Sequence, residues 1–384
     1  MENAPFEARN ALRADFILAE KTVRAGVVPS RDRKAQRAWE IWVAICSSIN
    51  ANPDVSKMAD PVPLLQAFGL RWRDGRISPS GNPKRARSVE DAIRLVSQKF
   101  PLLGAKDPRL DEGGRQDFRL RQMYAAWNKV DDPPKRVEPV PLSILMRAEE
   151  LSTSNPRDRA TMDCIWIAFY ILLRPGEYAN ASGDALHPFR LVDVECKIGR
   201  QHIFDLQHAT SRQLQAATVV LLTLTTQKNG IKGGKLAHST NLQPTACPVR
   251  AVLRRVAHLN AHNAPQNTPL HIYYDDNQRK KAVSSTMITS LLKAAALSIP
   301  GHNGVDPTNI AARSLRSSGA MALLLGGVDP DNIRFFGRWR SDAMFRYLHA
   351  HAVPLIQDNS RVMFHGGHYT LVTSLRTRSS SARR

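Results

Sequence analysis

Four short polar clusters stand apart in the second half of this 384-residue chain. They are "LLRPGEY", with Arg174 and Glu177; "TTQKNGIKGGK", with Lys228, Lys232 and Lys235; "ARSLRSSGA", with Arg313 and Arg316; and "GRWRSDAMFRY", with Trp339 and Tyr347. Arginine carries a planar fork of donors that matches two oxygens of one phosphate or carboxylate, and it stays charged. Lysine gives up its proton more readily, which suits a general acid. A phenol is an oxygen nucleophile, and an indole N–H is a donor only. Forks, an acid and an oxygen nucleophile meet the needs of transesterification at a phosphate, where charge builds on the non-bridging oxygens and the departing oxygen requires a proton. Each residue alone also has a plainer reading. Arg174 closes a helix before Pro175, where bases are favoured. Lys228 is a solvated hairpin lysine, Arg313 and Arg316 a solvated face, and Trp339 and Tyr347 packed aromatics.

The order of these clusters resembles the tyrosine recombinase (phage integrase) family over roughly residues 139 to 352. The stretch "SLRSSGAMALLLGGVDPDNIRFFGRWRSDAMFRYL" looks especially like recombinases of eukaryotic mobile elements of the Crypton or DIRS-like kind. The resemblance implies a site-specific recombinase that cuts and rejoins DNA through a 3′-phosphotyrosyl intermediate, without ATP, metal or cofactor. By the same resemblance Tyr347 is the nucleophile, Arg174 and Arg316 clamp the scissile phosphate, and Lys228 protonates the leaving 5′ oxygen, with Lys232 and Lys235 as alternatives. Trp339 donates to a phosphate oxygen, Arg313 is a further catalytic cation, and Glu177 orients Arg174. The implied partners are double-stranded DNA and further copies of the chain, two on one site and four in synapsis. The implied location is the nucleus in a eukaryotic host and otherwise the chromosome in the cytoplasm.

Two features depart from the family pattern. Arg313 stands where histidine is usual, and a guanidinium donates but does not serve as a base. The interval from Trp339 to Tyr347 is one residue short, whereas that from Gly337 to Tyr347 is preserved. Two alternatives therefore stay open: a weak or inactive domesticated recombinase that only binds DNA, and a type IB topoisomerase-like relaxase. "AMALLLGGVDPDNIRFF" also reads as a helix-turn-helix, with Asp329 as cap and Pro330 at the first helical position.

Charge points to the same partner. The chain holds 54 Lys and Arg against 34 Asp and Glu, a net charge of +20, which favours a polyanion. "RWRDGRISPSGNPKRARS" gathers Arg71, Arg73, Arg76, Lys84, Arg85 and Arg87 around one acid and is read, with Lys232 and Lys235, as a DNA-backbone contact. The longest apolar run, "IWIAFYILL", is about half of the roughly 20 residues that a membrane span needs, so it reads as a buried helix. The first residues mix acids with bases and lack a secretory core. Cys46, Cys164, Cys196 and Cys247 form no CxxC pair and read as buried thiols. His258 and His262 are a fragment of a zinc pattern without its second cysteine, so no metal is expected.

Periodicity supplies the elements that must hold these side chains. Apolar residues at Ala35, Trp39, Trp42, Val43, Cys46 and Ile49 predict an amphipathic helix. Further helices are predicted in "DPVPLLQAFGLRWRDG", closed by Gly75, in "SVEDAIRLVSQKF", capped by Ser88, and over 115–129. Beyond the proline- and charge-rich stretch at 129–141, helices are expected at about 142–152, 158–174, 247–260 and 284–297, with strands in "FRLVDVECKIG" and "ATVVLLTLTTQ" and a hairpin turn after the second. The fold class is thus mainly α (α+β): an extension at 1–30, a helical core-binding domain at 31–130, a linker at 131–141, a mostly helical catalytic domain with one small antiparallel sheet at 142–355, and a basic, partly disordered tail at 356–384.

Overall fold

A computed structural model of the chain describes residues 5–340, apart from 28, 103, 134–135, 181–187, 204 and 226–232. The chain divides into two compact units, Met1–Pro134 and Lys135–Arg384. The described residues are mainly helical with a small antiparallel sheet, the class read from the sequence.

The first unit is helical: α1 (Phe6–Ala25), α2 (Pro29–Ser48), α3 (Val62–Arg73), α4 (Ala86–Ser97), the short α5 (Lys99–Leu102) and α6 (Phe118–Val130). Its core joins the apolar stripes of α2, α3, α4 and α6, with Trp42 edge-on to Phe68 at 5.5 Å. The cap of α4 differs from expectation. The helix opens at Ala86, two residues before Ser88, and the Ala86 N–H donates to Asp131 Oδ2 at 2.6 Å. A carboxylate far along the chain replaces the local cap, and no local pattern announces such a partner. Of the stretch expected as linker, Asp131 bonds within the first unit, whereas Val140 N–H donates to buried Ser318 Oγ in the second.

The second unit runs α7 (Leu142–Leu151), α8 (Pro156–Tyr170), α9 (Pro175–Tyr178), β1 (Val194–Ile198), β2 (Gln201–Ile203), α10 (Ser211–Ala216), β3 (Val219–Thr223), β4 (Lys235–Ser239), α11 (Pro248–Ala261), β5 (Ile272–Tyr274), β6 (Lys280–Ala282), α12 (Ser285–Leu297), α13 (Ser314–Leu325) and α14 (Pro330–Phe336). The sheet is antiparallel in the order β2-β1-β3-β4, and β5 and β6 form a separate ribbon. Thr223 pairs with Lys235 at the end of the β3–β4 ladder, and the Leu224 N–H donates to the Gly234 carbonyl just beyond it at 2.8 Å. No described helix is long and apolar enough to cross a membrane. The apolar run begins in α8, whose residues Ala160–Phe169 are all buried, and continues past its end at Tyr170 into the turn at Leu172.

Because α8 is enclosed over Ala160–Phe169, the acid within that stretch needs company. Asp163 is fully buried, with Arg254 at 2.6 Å and Arg159 at 3.5 Å; burial pushes its carboxyl upward and the arginines pull it back. Arg255, also buried, donates Nε to the Leu270 carbonyl at 3.0 Å and Nη2 to that of Ile272. The four cysteines are free and buried. His258 Nε2 accepts the Tyr274 N–H at 3.0 Å, and His262 stacks on the Tyr274 ring, so this histidine pair packs the β5–β6 ribbon onto α11. Among the described residues no three metal-ligating side chains gather.

Two tests follow from this packing. α13 crosses α8 at Gly319, where an added Cβ would lie 2.1 Å from the Phe169 carbonyl oxygen. Gly319→Ala is expected to lower stability by about 3 kcal/mol or more in urea denaturation, since backbone must move to admit the methyl. Burial, with Arg255 beside each ring, holds both His258 and His271 down to about 4. Their free value lies near 6.5, so the unfolded chain takes up these protons first. The resulting stability is complete above about pH 6.5 and is lost as pH falls toward about 4. Denaturation at stepped pH should show this slope, and His258→Gln with His271→Gln should flatten it.

Candidate active site

The site is built on the turn that follows α8. Leu172 takes a left-handed φ of 51°, which ends the helix, and Pro175 opens α9 at its first position. Arg174 lies between them as the cap of α9. Glu177, three residues on, turns back: its Oε2 accepts the Arg174 N–H at 2.9 Å and its Oε1 accepts Arg174 Nη1 at 3.1 Å. This is the return arm of a capping box, here also fixing a side chain. Glu177 is 4 % exposed and the Arg174 side chain 29 %, so the carboxylate lies beneath a guanidinium that still reaches solvent.

Two more guanidinium groups reach the same corner from α13 and the end of α14. Arg338 follows Gly337 with φ 59°, and its Nη2 donates to Glu177 Oε2 and to the Leu172 carbonyl, each at 3.1 Å. Arg316, 3 % exposed, donates Nη1 to the same Leu172 carbonyl at 3.0 Å and Nη2 to the carbonyl of Gly337. The left-handed turn at Leu172 thus aims one carbonyl at two arginines. Trp339 lies across Arg316, its ring centre 4.4 Å from Cζ. The indole also lies against Gly337, where a Cβ would sit 1.5 Å from a ring carbon, so only glycine admits this contact. Asp329 caps α14 as expected, accepting the Asp331 N–H at 2.8 Å.

The sequence reading proposed Arg174, Glu177, Arg316 and Trp339, and the fold brings these four together. Arg338 was missing from that set. The short Trp339–Tyr347 interval beside the preserved Gly337–Tyr347 interval is the signal that points to it. Arg313 lies elsewhere: it is exposed at the start of α13 and bonds to no other described side chain. Lys235 is held by Glu195 of β1 at 2.7 Å, and His202 Nε2 lies 2.8 Å from the same carboxylate. Lys228, Lys232, Ser341, Tyr347 and the tail lie outside the described residues.

The basic stretch of the first unit is divided in its use. Arg76, Arg85 and Arg87 are exposed, and Arg71 and Lys84 half-buried. Arg73 turns inward, with Asp131 at 2.9 Å, its Cζ 5.1 Å from the centre of the Trp127 ring, and Nη1 on the Lys84 carbonyl at 3.3 Å. It therefore holds the loop that carries Arg76, Lys84 and Arg85.

No protein-family model and no curated protein matches the chain. Solved structures do show similarity. A lambda integrase dimer bound to a COC′ core site is 13% identical with a TM-score of 0.45, over 88% of this chain and 96% of that one. The Tn1549 transposon integrase in complex with transposon right end DNA is 12% identical with a TM-score of 0.44, over 86% and 98%. The XerA recombinase is 15% identical with a TM-score of 0.34, over 89% and 100%. Overlap at this level assigns no residue its role.

Among the described residues of this corner, Arg174, Arg316 and Arg338 surround a single carboxylate, Glu177. Arg174 carries this corner to the surface, its side chain 29 % exposed. Such a corner suits an anion with oxygens on more than one side. Burial lowers the Arg338 guanidinium, and the adjacent Glu177 raises it again. Removing that carboxylate takes a charged partner from Arg174 and from the buried Arg338. Glu177→Gln is therefore expected to lower unfolding free energy by about 3–5 kcal/mol. A change below about 1 kcal/mol in urea titration would show that the carboxylate does not hold the corner.

Proposed function

We propose that this chain is a tyrosine recombinase that cuts and rejoins double-stranded DNA. The observation that carries this reading is the cluster of three guanidinium groups around Glu177, built by the same α14 corner that leads into the segment bearing Tyr347. In this reading the Tyr347 phenol attacks the scissile phosphorus, the P–O5′ bond breaks, and a 3′-phosphotyrosyl ester forms. Arg174 and Arg316 take the charge that builds on the non-bridging oxygens, and Lys228 gives the departing 5′ oxygen its proton. Attack by a 5′-hydroxyl on the ester reverses the step, so one phosphodiester replaces another and no ATP is consumed. Arg338 acts through Glu177 and the Leu172 carbonyl to hold the clamp in position. The first unit serves as the core-binding domain, with Arg71, Arg76, Lys84, Arg85 and Arg87 on the backbone of the duplex. Two copies bind one site and four meet in synapsis.

A binding-only protein is the second reading, and Arg313 favours it. The family's usual histidine is replaced there by an exposed arginine outside the cluster, which leaves activation of the phenol to solvent. Strand cleavage separates the two readings. On a nicked oligonucleotide carrying the true site, wild type is expected to trap a covalent adduct and Tyr347→Phe to bind equally well without one. Adducts formed by the Phe variant would move the nucleophile elsewhere, and a wild type that binds but never cuts would establish the binding-only reading. Arg174→Ala should slow cleavage about a hundredfold or more.

A substrate with a bridging 5′ sulfur tests the acid, because a thiolate leaves without a proton. It is expected to restore cleavage by Lys228→Ala and not by Arg174→Ala. Restoration of Lys235→Ala instead would transfer the role to the lysine now held by Glu195. DNA affinity should also fall steeply between low and physiological salt, as phosphate contacts release counter-ions; a flat response would remove the DNA reading.

A further inference from the structure

α1 leaves its large apolar side chains in solvent. Leu12 is 38 %, Phe16 52 % and Val23 56 % exposed, and Ala19 is exposed between them. The spacing of four, three and four sets Leu12, Phe16, Ala19 and Val23 in one stripe, the a/d seam of a coiled coil; Ile17 and Leu18 lie off it. The sequence of α1 carries Glu7, Asp15 and Glu20 against Arg9, Arg13, Lys21 and Arg24, close to balance in a chain of net charge +20. A nearly neutral helix with an apolar seam is not built to follow a phosphate backbone.

We propose that this seam pairs antiparallel with the same seam of a second copy of the chain. In the antiparallel arrangement Phe16 meets the partner's Ala19, Leu12 meets the partner's Val23, and each layer recurs by the two-fold axis. The large ring fills the space over the small side chain, which close packing rewards. Arg13 then flanks the partner's Glu20. A parallel pair would stack Phe16 on itself and Ala19 on itself, and would set Asp15 beside the partner's Glu20, where like charges repel. Four layers make a small contact beside the about 1,200–2,000 Å² of stable interfaces, so the pairing is weak and concentration-dependent. Two copies brought side by side on one polymer would complete it, because their effective concentration rises. The pairing itself does not depend on the recombinase reading.

Directed disulfides without DNA test it on the full chain, whose own four cysteines are buried. Leu12→Cys protein mixed with Val23→Cys protein is expected to form the mixed disulfide several-fold faster than either variant forms a disulfide with itself. Adding Phe16→Glu to both should abolish that preference while far-UV circular dichroism stays unchanged. Faster self-disulfides would establish parallel pairing and overturn the proposal. So would the absence of cross-links, with α1 either protected from protease by its own chain or cut as a solvated helix.

Discussion

The Glu177 carboxylate is the constraint on which this corner of the molecule depends. It is buried, it bonds the guanidinium groups of Arg174 and Arg338, and it accepts the main-chain N–H that opens α9. A carboxylate leaves water only at a large cost, which opposite charges and donors must offset. Here they come from two places distant in sequence, so the ion pair also ties the turn after α8 to the end of α14. Leu172 and Arg338 both adopt left-handed backbone, at about 1–2 kcal/mol each for a residue with a Cβ. The surrounding bonds over-determine both conformations, and each aims a polar group that a relaxed turn would direct elsewhere.

The second unit uses the same residue types for a different end around α8. Asp163 and Glu149 face Arg159 and Arg254, with Glu149 also accepting the Trp166 indole N–H at 2.7 Å. Asp163 and Glu149 pair there with Arg159 and Arg254, while Arg255 beside them bonds main-chain carbonyls. That network holds helices together and offers nothing to a ligand. At the Glu177 corner one carboxylate pairs with Arg174 and Arg338, and Arg316 joins through the Leu172 carbonyl that it shares with Arg338. The groups that each guanidinium faces, more than the presence of arginine, give the two clusters their different shapes.

The sheet applies the same rule at its edge. Glu195 on β1 holds Lys235 across the register that pairs Thr223 with Lys235. The carboxylate that Lys235 faces, more than its residue type, sets what it can do.

Much of this molecule was legible in its amino-acid order. Alternation and 3.6-residue periodicity depend on burial of one face, so α2, α3, α6, α8, α11 and α12 and the strands β1 and β3 can be read locally. The arginines, the glutamate one turn from Arg174 and the Gly-Arg-Trp corner could be named for the same reason: chemistry is carried by residue type and spacing. What the sequence left undetermined depends on pairs distant along the chain. The cap of α4 comes from Asp131, the burial of Arg73 against Asp131 and Trp127 removes one base from a basic stretch, and Arg338 joins the cluster only because α14 returns to the turn after α8. Arg313 and Arg316 look alike on paper, three residues apart on one helix, yet one is exposed and the other buried. Residue type determines what a side chain can do; only tertiary packing decides which solvent, charge or carbonyl it faces, because those neighbours arrive from elsewhere in the chain.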